Sequence, residues 1–175
     1  NDFRFLGAPN KKWRDSGMMG TPQNERGNVF WQADLDEASH ELVKIILEIQ
    51  PQVLITYDEF GGYGHPDHIK AHQVAMRATE LAAEQGWQVS KIYWNTIPRS
   101  VIQMGIEKMK EVGSDFFGAQ SVDELPFAKP DELATTVVNA PEYVPQKLEA
   151  MKAHATQISV DGPFFALSNN LGLSV

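Results

Sequence analysis

Two imidazoles and a carboxylate lie within four residues of one another near the middle of the chain. His65, Asp67 and His68 follow the glycine-rich stretch Gly61–Gly64. Such side chains can supply a metal ligand, a proton donor and a partner that orients them. Because the chain has no cysteine, a metal bound here would rely on histidine and carboxylate ligands. The alternative is a glycine turn with solvated histidines, and an isolated His-x-x-His spacing leaves both interpretations open.

The residues on either side of this loop predict the elements that hold it. The run Val53–Asp58 is short, apolar and β-branched and follows Pro51, which predicts a buried strand. After the loop, apolar residues recur at helical spacing and predict a helix from about Pro66 to Glu84. The loop therefore joins a strand to a helix, which is where open α/β sheets place their binding sites.

The composition is that of a globular protein without a nucleic-acid or membrane surface. The length of 175 residues predicts a single domain over residues 1–175 with a real core. The 23 acidic residues outnumber the 15 basic ones and no basic cluster is present, which argues against nucleic-acid binding. No apolar run approaches the roughly 20 residues of a membrane span. Since no charged-then-apolar leader is present either, we expect a cytoplasmic protein.

A second polar stretch, Lys11–Gly27, follows neither the strand nor the helix period, which predicts a long loop. Long loops in compact domains are often functional. Arg14 and Asp15 are suited to hydrogen-bond a polyol, while Trp13 and Met18 would form an apolar wall beside it. A surface loop with one buried tryptophan accounts for the spacing equally well.

The rest of the chain alternates strands with helices. Acidic residues open a helix after Asp34 that runs to Pro51. The other predicted elements are strands at Phe3–Leu6, Lys91–Ile97 and Thr135–Val138, a helix at Ser100–Glu111 and a helix that begins at Pro145. This alternation predicts an α/β fold, a Rossmann-like three-layer sandwich with a mainly parallel sheet.

Five blocks of the sequence occur in the same order in the LmbE-like zinc deacetylases, and the chain resembles that family from Trp13 to Asn170. The blocks are Trp13–Met18, Thr56–Asp58, Gly61–His68, His154–Gln157 and Ala166–Asn170. Five ordered blocks are far more specific than any one of them. The last block is more similar to the mycothiol-pathway enzymes that deacetylate N-acetylglucosaminyl-inositol than to the mycothiol conjugate amidases.

The resemblance implies a role for each matching residue. His68 matches a zinc ligand, and His65 matches the catalytic acid that protonates the leaving amine, with Asp67 as its acidic partner. Tyr63 matches a tyrosine that stabilises the oxyanion. The family's substrate-contacting positions match Asp15, Met18, Gln157 and, where the alignment is looser, Phe127. His72 could share a helical face with His68 and chelate a metal, but the resemblance does not support this, and we expect His72 to be structural or to support a ligand. His154 could act as a base by its residue type, but we expect a helix-end histidine bonded to a carbonyl.

These implied roles suit the hydrolysis of an amide. Zinc polarises a carbonyl and makes a nucleophile available at neutral pH. A hydrogen-bond donor such as Tyr63 stabilises the oxyanion by roughly 3 kcal/mol. The amine leaves readily only when it is protonated, which is a task for histidine. For Tyr63, plain packing over the glycines is the alternative.

The chain departs from the family in the first part of the zinc site. The family's other two zinc ligands and its general base belong to an N-terminal Ala-His-Pro-Asp-Asp-Glu motif, which does not occur here. Catalytic zinc generally needs three protein ligands. Because the chain also begins without methionine, we expect a fragment that lacks its first βα unit. The sheet edge left uncovered would favour pairing with a second copy.

Two functions follow from these features. The preferred one is zinc-dependent deacetylation of a small-molecule N-acetylated glucosaminide, N-acetylglucosaminyl-inositol, with mycothiol conjugate amidase as the alternative within the enzyme class. The other is a sugar-binding piece without metal chemistry. The presence of both His65 and Tyr63 favours the first, because a pure binder needs neither an acid nor an oxyanion donor.

Overall fold

The computed structural model describes residues 2–111, 113, 116 and 118–156. The chain divides into two units, Asn1–Thr96 and Ile97–Val175. The single-domain organisation over residues 1–175 stays a prediction.

The first unit contains a strand–helix–strand arrangement preceded by a helix. Its elements are helix α1 (Leu35–Ile49), strand β1 (Val53–Tyr57), the one-turn helix α2 (Gly61–Gly64), helix α3 (Pro66–Glu84) and strand β2 (Lys91–Asn95). Short 3-10 turns cover Pro22–Glu25 and Phe30–Gln32. Helix α1 begins where the Asp34 carboxylate accepts the Glu37 N–H at 2.8 Å, and it ends at Gln50, whose φ of 52° is left-handed.

The core of this unit lies between the two long helices and one face of the sheet. Strands β1 and β2 pair in parallel, with Leu54 opposite Ile92, and both side chains pack on the core. Helix α1 packs against α3 and contributes Val43 and Ile46, which are 3% and 2% exposed. A parallel pair joined through a helix is the βαβ unit that the sequence predicts, which confirms the α/β class.

The second unit has its own small core. Its elements are strand β3 (Ile97–Pro98), helix α4 (Arg99–Glu111), strand β4 (Ala128–Lys129) and helix α5 (Val144–Ala153), with 3-10 turns at Val122–Glu124, Asp131–Leu133 and Pro141–Tyr143. Strands β3 and β4 are also parallel. Ile102, Ile106 and Ala128 form the buried cluster, against which Phe116 and Phe127 pack.

Two predicted strands are wrong. Phe3–Leu6 forms no strand, and Phe3 and Phe5 are 81% and 71% exposed. Thr135–Val138 is irregular as well, and Val137 and Val138 are each 83% exposed. A β-branched run becomes a strand only when a neighbouring strand completes its hydrogen bonds and covers its side chains. Neither run finds such a neighbour among the described residues.

None of the helices in the described part of the chain is both long enough and apolar enough to cross a membrane.

Candidate active site

The glycine turn after β1 has a conformation that only glycine tolerates well. Gly61 and Gly62 have φ angles of +67° and +73°, and the Asp58 carboxylate accepts the Gly62 N–H at 2.7 Å. A Cβ atom on Gly61 would lie 2.7 Å from the backbone nitrogen of Ile69 and 2.9 Å from the Cβ of His68. The turn therefore brings the backbone directly against the first turn of α3, where the candidate residues lie.

His65 is the N-cap residue of α3 and is buried. Its Nδ1 accepts the backbone N–H of Asp67 at 3.2 Å, and Pro66 occupies the first helical position. Because Nδ1 is an acceptor, the neutral ring carries its proton on Nε2. That nitrogen lies 4.0 Å from a carboxylate oxygen of Asp15. The arrangement presents an N–H donor toward an exposed acid.

His68 has the opposite tautomer. Its Nδ1 lies 3.2 Å from the carbonyl oxygen of Gly61, so Nδ1 donates and Nε2 carries the free lone pair. The ring of Tyr57 stacks on it with centroids 4.0 Å apart and planes at 6°. Burial lowers the pKa of His68, which favours the neutral imidazole. A neutral, oriented imidazole with one free nitrogen is the form that a metal binds.

Asp67 is fixed by a single residue of the long loop. The backbone N–H of Ser16 donates to one carboxylate oxygen at 2.9 Å, and the Ser16 hydroxyl donates to the other. The hydroxyl also accepts the N–H of Trp31 at 2.9 Å. Ser16 is fully buried, so these bonds are shielded from water. Asp67 is consequently held in one orientation beside His65.

The loop that carries Asp15 and Met18 is pinned by a buried asparagine. The Asn24 amide donates to the carbonyl oxygens of Ser16 at 2.6 Å and Met18 at 3.2 Å, and its oxygen accepts the Gly20 N–H at 2.8 Å. Asp15 itself is exposed, and Met18 is 49% exposed. The backbone of the loop is thus ordered while its candidate substrate-contacting side chains face solvent.

Three acidic or imidazole side chains converge closely enough to hold a metal ion. Ligand atoms of Asp15, His65 and Asp67 all lie within 4.8 Å of one another. Two of these groups already have partners, because Asp67 accepts from Ser16 and the Nδ1 of His65 accepts from Asp67. We therefore consider the free Nε2 of His68 the better prepared metal ligand, although it is outside this group of three.

A cavity of about 500 Å³ adjoins the converging acids. Its lining comprises Phe5, Leu6, Lys12, Trp13, Arg14, Asp15, Phe30 and Asp67. The structure thus places the predicted Trp13-Arg14-Asp15 segment around one cavity, whereas Met18 is not part of the lining. Aromatic walls with charged groups at the edge suit a ligand that has apolar ring faces and hydroxyl groups.

Tyr63 stands beside both imidazoles. Its ring is edge-on to His68, with centroids 5.1 Å apart, and to His65, with centroids 6.1 Å apart. Partial burial raises the pKa of Tyr63, so the phenol keeps its proton. A half-exposed hydroxyl donor next to the two histidines is in a position to meet a developing oxyanion.

Other predicted residues lie elsewhere or outside the described part. Phe127 packs on the core of the second unit. Gln157 and the block Ala166–Asn170 lie outside the described residues. The Nδ1 of His72 contacts the Tyr57 carbonyl at 2.9 Å, and His154 caps the end of α5, in keeping with structural roles for both.

Sequence comparison shows which known proteins the chain resembles. Residues 1–79 match the family model described as PIG-L, GlcNAc-PI de-N-acetylase. Over 99% of its length the chain is 54% identical to a Geodermatophilus obscurus protein named 1D-myo-inositol 2-acetamido-2-deoxy-alpha-D-glucopyranoside deacetylase. The chain therefore resembles the PIG-L family over residues 1–79. Proteins of the same name from Thermobispora bispora and Acidothermus cellulolyticus are 53% and 52% identical over 99% and 98% of the chain.

The chain matches only part of the length of these relatives. The chain covers 62%, 59% and 58% of the three proteins, or about three fifths of their length. These matches confirm the predicted LmbE-like resemblance and the Rossmann-like α/β fold.

The structure adds three residues that the sequence did not single out. Ser16 holds Asp67, Asn24 pins the loop, and the buried Lys70 donates to the Ala33 carbonyl at 3.0 Å. Ser and Asn are common loop residues, so their types give no signal. Only Lys70 gave a signal in the sequence, because a lysine on the buried face of a predicted helix requires a partner.

Proposed function

We propose that the protein removes the acetyl group from an N-acetylglucosaminyl-inositol by zinc-dependent hydrolysis. The observation that carries this proposal is the pair of imidazoles, His65 and His68, whose ring centroids are 4.8 Å apart and whose tautomers are opposite. One ring offers an N–H and the other a lone pair. The sequence is more than half identical to three proteins that are named as deacetylases of this glycoside, and this similarity supports the same chemistry.

The chain's own residues would divide the work of amide hydrolysis. His65 would pass a proton from Nε2 to the amine as the C–N bond breaks, going from the imidazolium to the neutral ring. Asp67 would hold the ring in place through its backbone N–H, and the Asp15 carboxylate lies 4.0 Å from Nε2. Tyr63 would donate a hydrogen bond from its hydroxyl to the oxyanion, and such a contact typically stabilises the oxyanion by roughly 3 kcal/mol.

The side chains at this site are of the types that bind zinc. Zinc binds imidazole nitrogen and carboxylate oxygen, and side chains of both types converge here. His68 would hold the ion through its free Nε2, since Nδ1 is bonded to Gly61. When bound, zinc supplies Lewis-acid polarisation of the carbonyl and activation of water.

The test is the zinc content of the purified chain together with acetate release from N-acetylglucosaminyl-inositol. We expect about one zinc per chain and acetate release that a chelator abolishes. A zinc-loaded chain that releases no acetate from this glycoside overturns the proposal. Cleavage of a mycothiol conjugate in its place would identify a conjugate amidase.

A second function, binding of the glycoside without hydrolysis, is favoured by one observation. A catalytic zinc generally has three protein ligands, whereas of the two imidazoles at this site only His68 has its Nδ1 on a carbonyl and a lone pair on Nε2. The cavity beside Asp15 does not depend on a metal. Saturable binding of the glycoside to a chain that contains no zinc and releases no acetate would establish this function.

A further inference from the structure

We propose that Ser16 is a positioning residue that holds Asp67 and, through it, the ring of His65. This inference rests on the proposed function, because it concerns the acid of the same reaction. Ser16 does not contact the reacting groups itself. It lies 51 residues from Asp67 in sequence, and the fold brings the two together.

Ser16 binds the Asp67 carboxylate at both oxygens. Its backbone N–H donates to one at 2.9 Å and its hydroxyl donates to the other. Two donors from one residue fix the rotation of a carboxylate, as a single donor cannot. Asp67 in turn donates its backbone N–H to the Nδ1 of His65. The serine therefore anchors the residue whose backbone N–H contacts the imidazole.

Ser16 can act as a fixed point because all of its polar groups are paired. Its carbonyl accepts from Asn24 at 2.6 Å, and its hydroxyl oxygen accepts the Trp31 N–H at 2.9 Å. Close to Trp31 in sequence, the carbonyl of Ala33 accepts from Lys70 on α3. The loop is thus tied to the same helix that carries Asp67.

The hydroxyl is the part of Ser16 that can be removed cleanly. Ser16→Ala deletes one donor to Asp67 and leaves the Trp31 N–H without its acceptor, while the backbone bond to Asp67 remains. Ser39→Ala is the matched control, because Ser39 is equally buried in the same unit and its hydroxyl lies 3.5 Å from the Val74 carbonyl. Both variants lose one buried hydroxyl, but only one of these hydroxyls contacts Asp67.

The experiment measures kcat and KM for acetate release by the chain and its variants. We expect Ser16→Ala to lower kcat by about tenfold to a hundredfold, the usual effect of removing such an orienting partner, with KM little changed. Ser39→Ala should keep kcat. Ser16→Thr, which keeps the hydroxyl, should recover most of the loss. An equal loss of kcat in both alanine variants, or a change in KM alone, overturns the proposal.

A second measurement does not depend on activity. Nitrogen-15 spectra of the histidine rings should show His65 with its proton on Nε2 in the wild-type chain and in Ser39→Ala. Ser16→Ala should give a mixture of tautomers. An unchanged His65 spectrum in Ser16→Ala overturns the positioning role. If the wild-type chain releases no acetate, the proposed function fails on that result, and the ring spectra still decide the role of Ser16.

Discussion

The backbone N–H of Asp67 donates to Nδ1 of His65 at 3.2 Å, and this bond places the proton of the neutral ring on Nε2. Three residues further along, the carbonyl of Gly61 gives His68 the other tautomer. The difference between the two rings comes from their backbone partners. It places an N–H on one ring and a lone pair on the other within one helical turn.

His65→Ala should therefore abolish most turnover and leave the metal content unchanged. General acid catalysis typically contributes about 10²- to 10⁴-fold, so we expect a loss of that order in kcat. Elemental analysis and an acetate-release assay on the same sample measure both quantities. His40→Ala is the control, since His40 is exposed on α1 and its Nδ1 contacts only the Asp36 carbonyl among the bonds described. Loss of zinc from His65→Ala would show that His65 is a ligand.

His68→Ala should lose the metal. Its Nε2 is free because Nδ1 is bonded to Gly61, and the stacked Tyr57 ring fixes its plane. His72→Ala is a close control, because His72 lies one turn later on α3 and also has its Nδ1 bonded to a carbonyl. We expect zinc to bind normally to His72→Ala. Retention of stoichiometric zinc by His68→Ala would refute the ligand assignment.

Gly61→Ala should destabilise the first unit more than Gly86→Ala. Both glycines have positive φ, +67° and +98°, so both substitutions carry a backbone cost of roughly 1–2 kcal/mol. Only at Gly61 would the new Cβ meet other atoms, with Ile69 N at 2.7 Å, whereas Gly86 has open space. Overpacking of this kind adds about 1–3 kcal/mol. Urea unfolding measures the difference, and equal losses would mean that the turn can relax away from α3.

The elements that carry the site could be predicted from local sequence. The apolar spacing predicted a helix from about Pro66 to Glu84, and these are the observed bounds of α3. The acidic residues that predicted the start of α1 include Asp34, which is its observed N-cap. These features depend on residues within one or two turns of each other. Strand β1 was predictable for the same reason, because its apolar, β-branched run and the preceding Pro51 are local features.

The contacts that orient the site could not be predicted in the same way. The bond from Ser16 to Asp67 joins positions 51 residues apart, and no periodicity records such a pairing. The tautomers of His65 and His68 depend on which backbone group each ring meets. The strand predicted at Thr135–Val138 was wrong for a similar reason, because its β-branched residues do not indicate whether a partner strand is present.

Tyr63 should remain a hydrogen-bond donor throughout the neutral and mildly alkaline range. Burial raises its pKa above the ordinary value of 10.0, and the nearby Tyr57 and Asp15 act in the same direction. In the unfolded chain the phenol would lose its proton at lower pH than in the folded one. The folded state is therefore destabilised by this group as the pH rises above 10.0, and unaffected by it below. The oxyanion contact proposed for Tyr63 should accordingly impose no alkaline limit on turnover below that pH.

The tyrosinate absorbance of the wild-type chain minus that of Tyr63→Phe isolates this one phenol. We expect the difference titration to lie at higher pH in buffer than in denaturant, where the same phenol is solvated. A midpoint in buffer at or below the one in denaturant would mean that a nearby positive charge, and not burial, controls Tyr63. In that case the phenol would ionise at no higher pH than it does in denaturant, and turnover that depends on its hydroxyl would fall at the alkaline end of the assay.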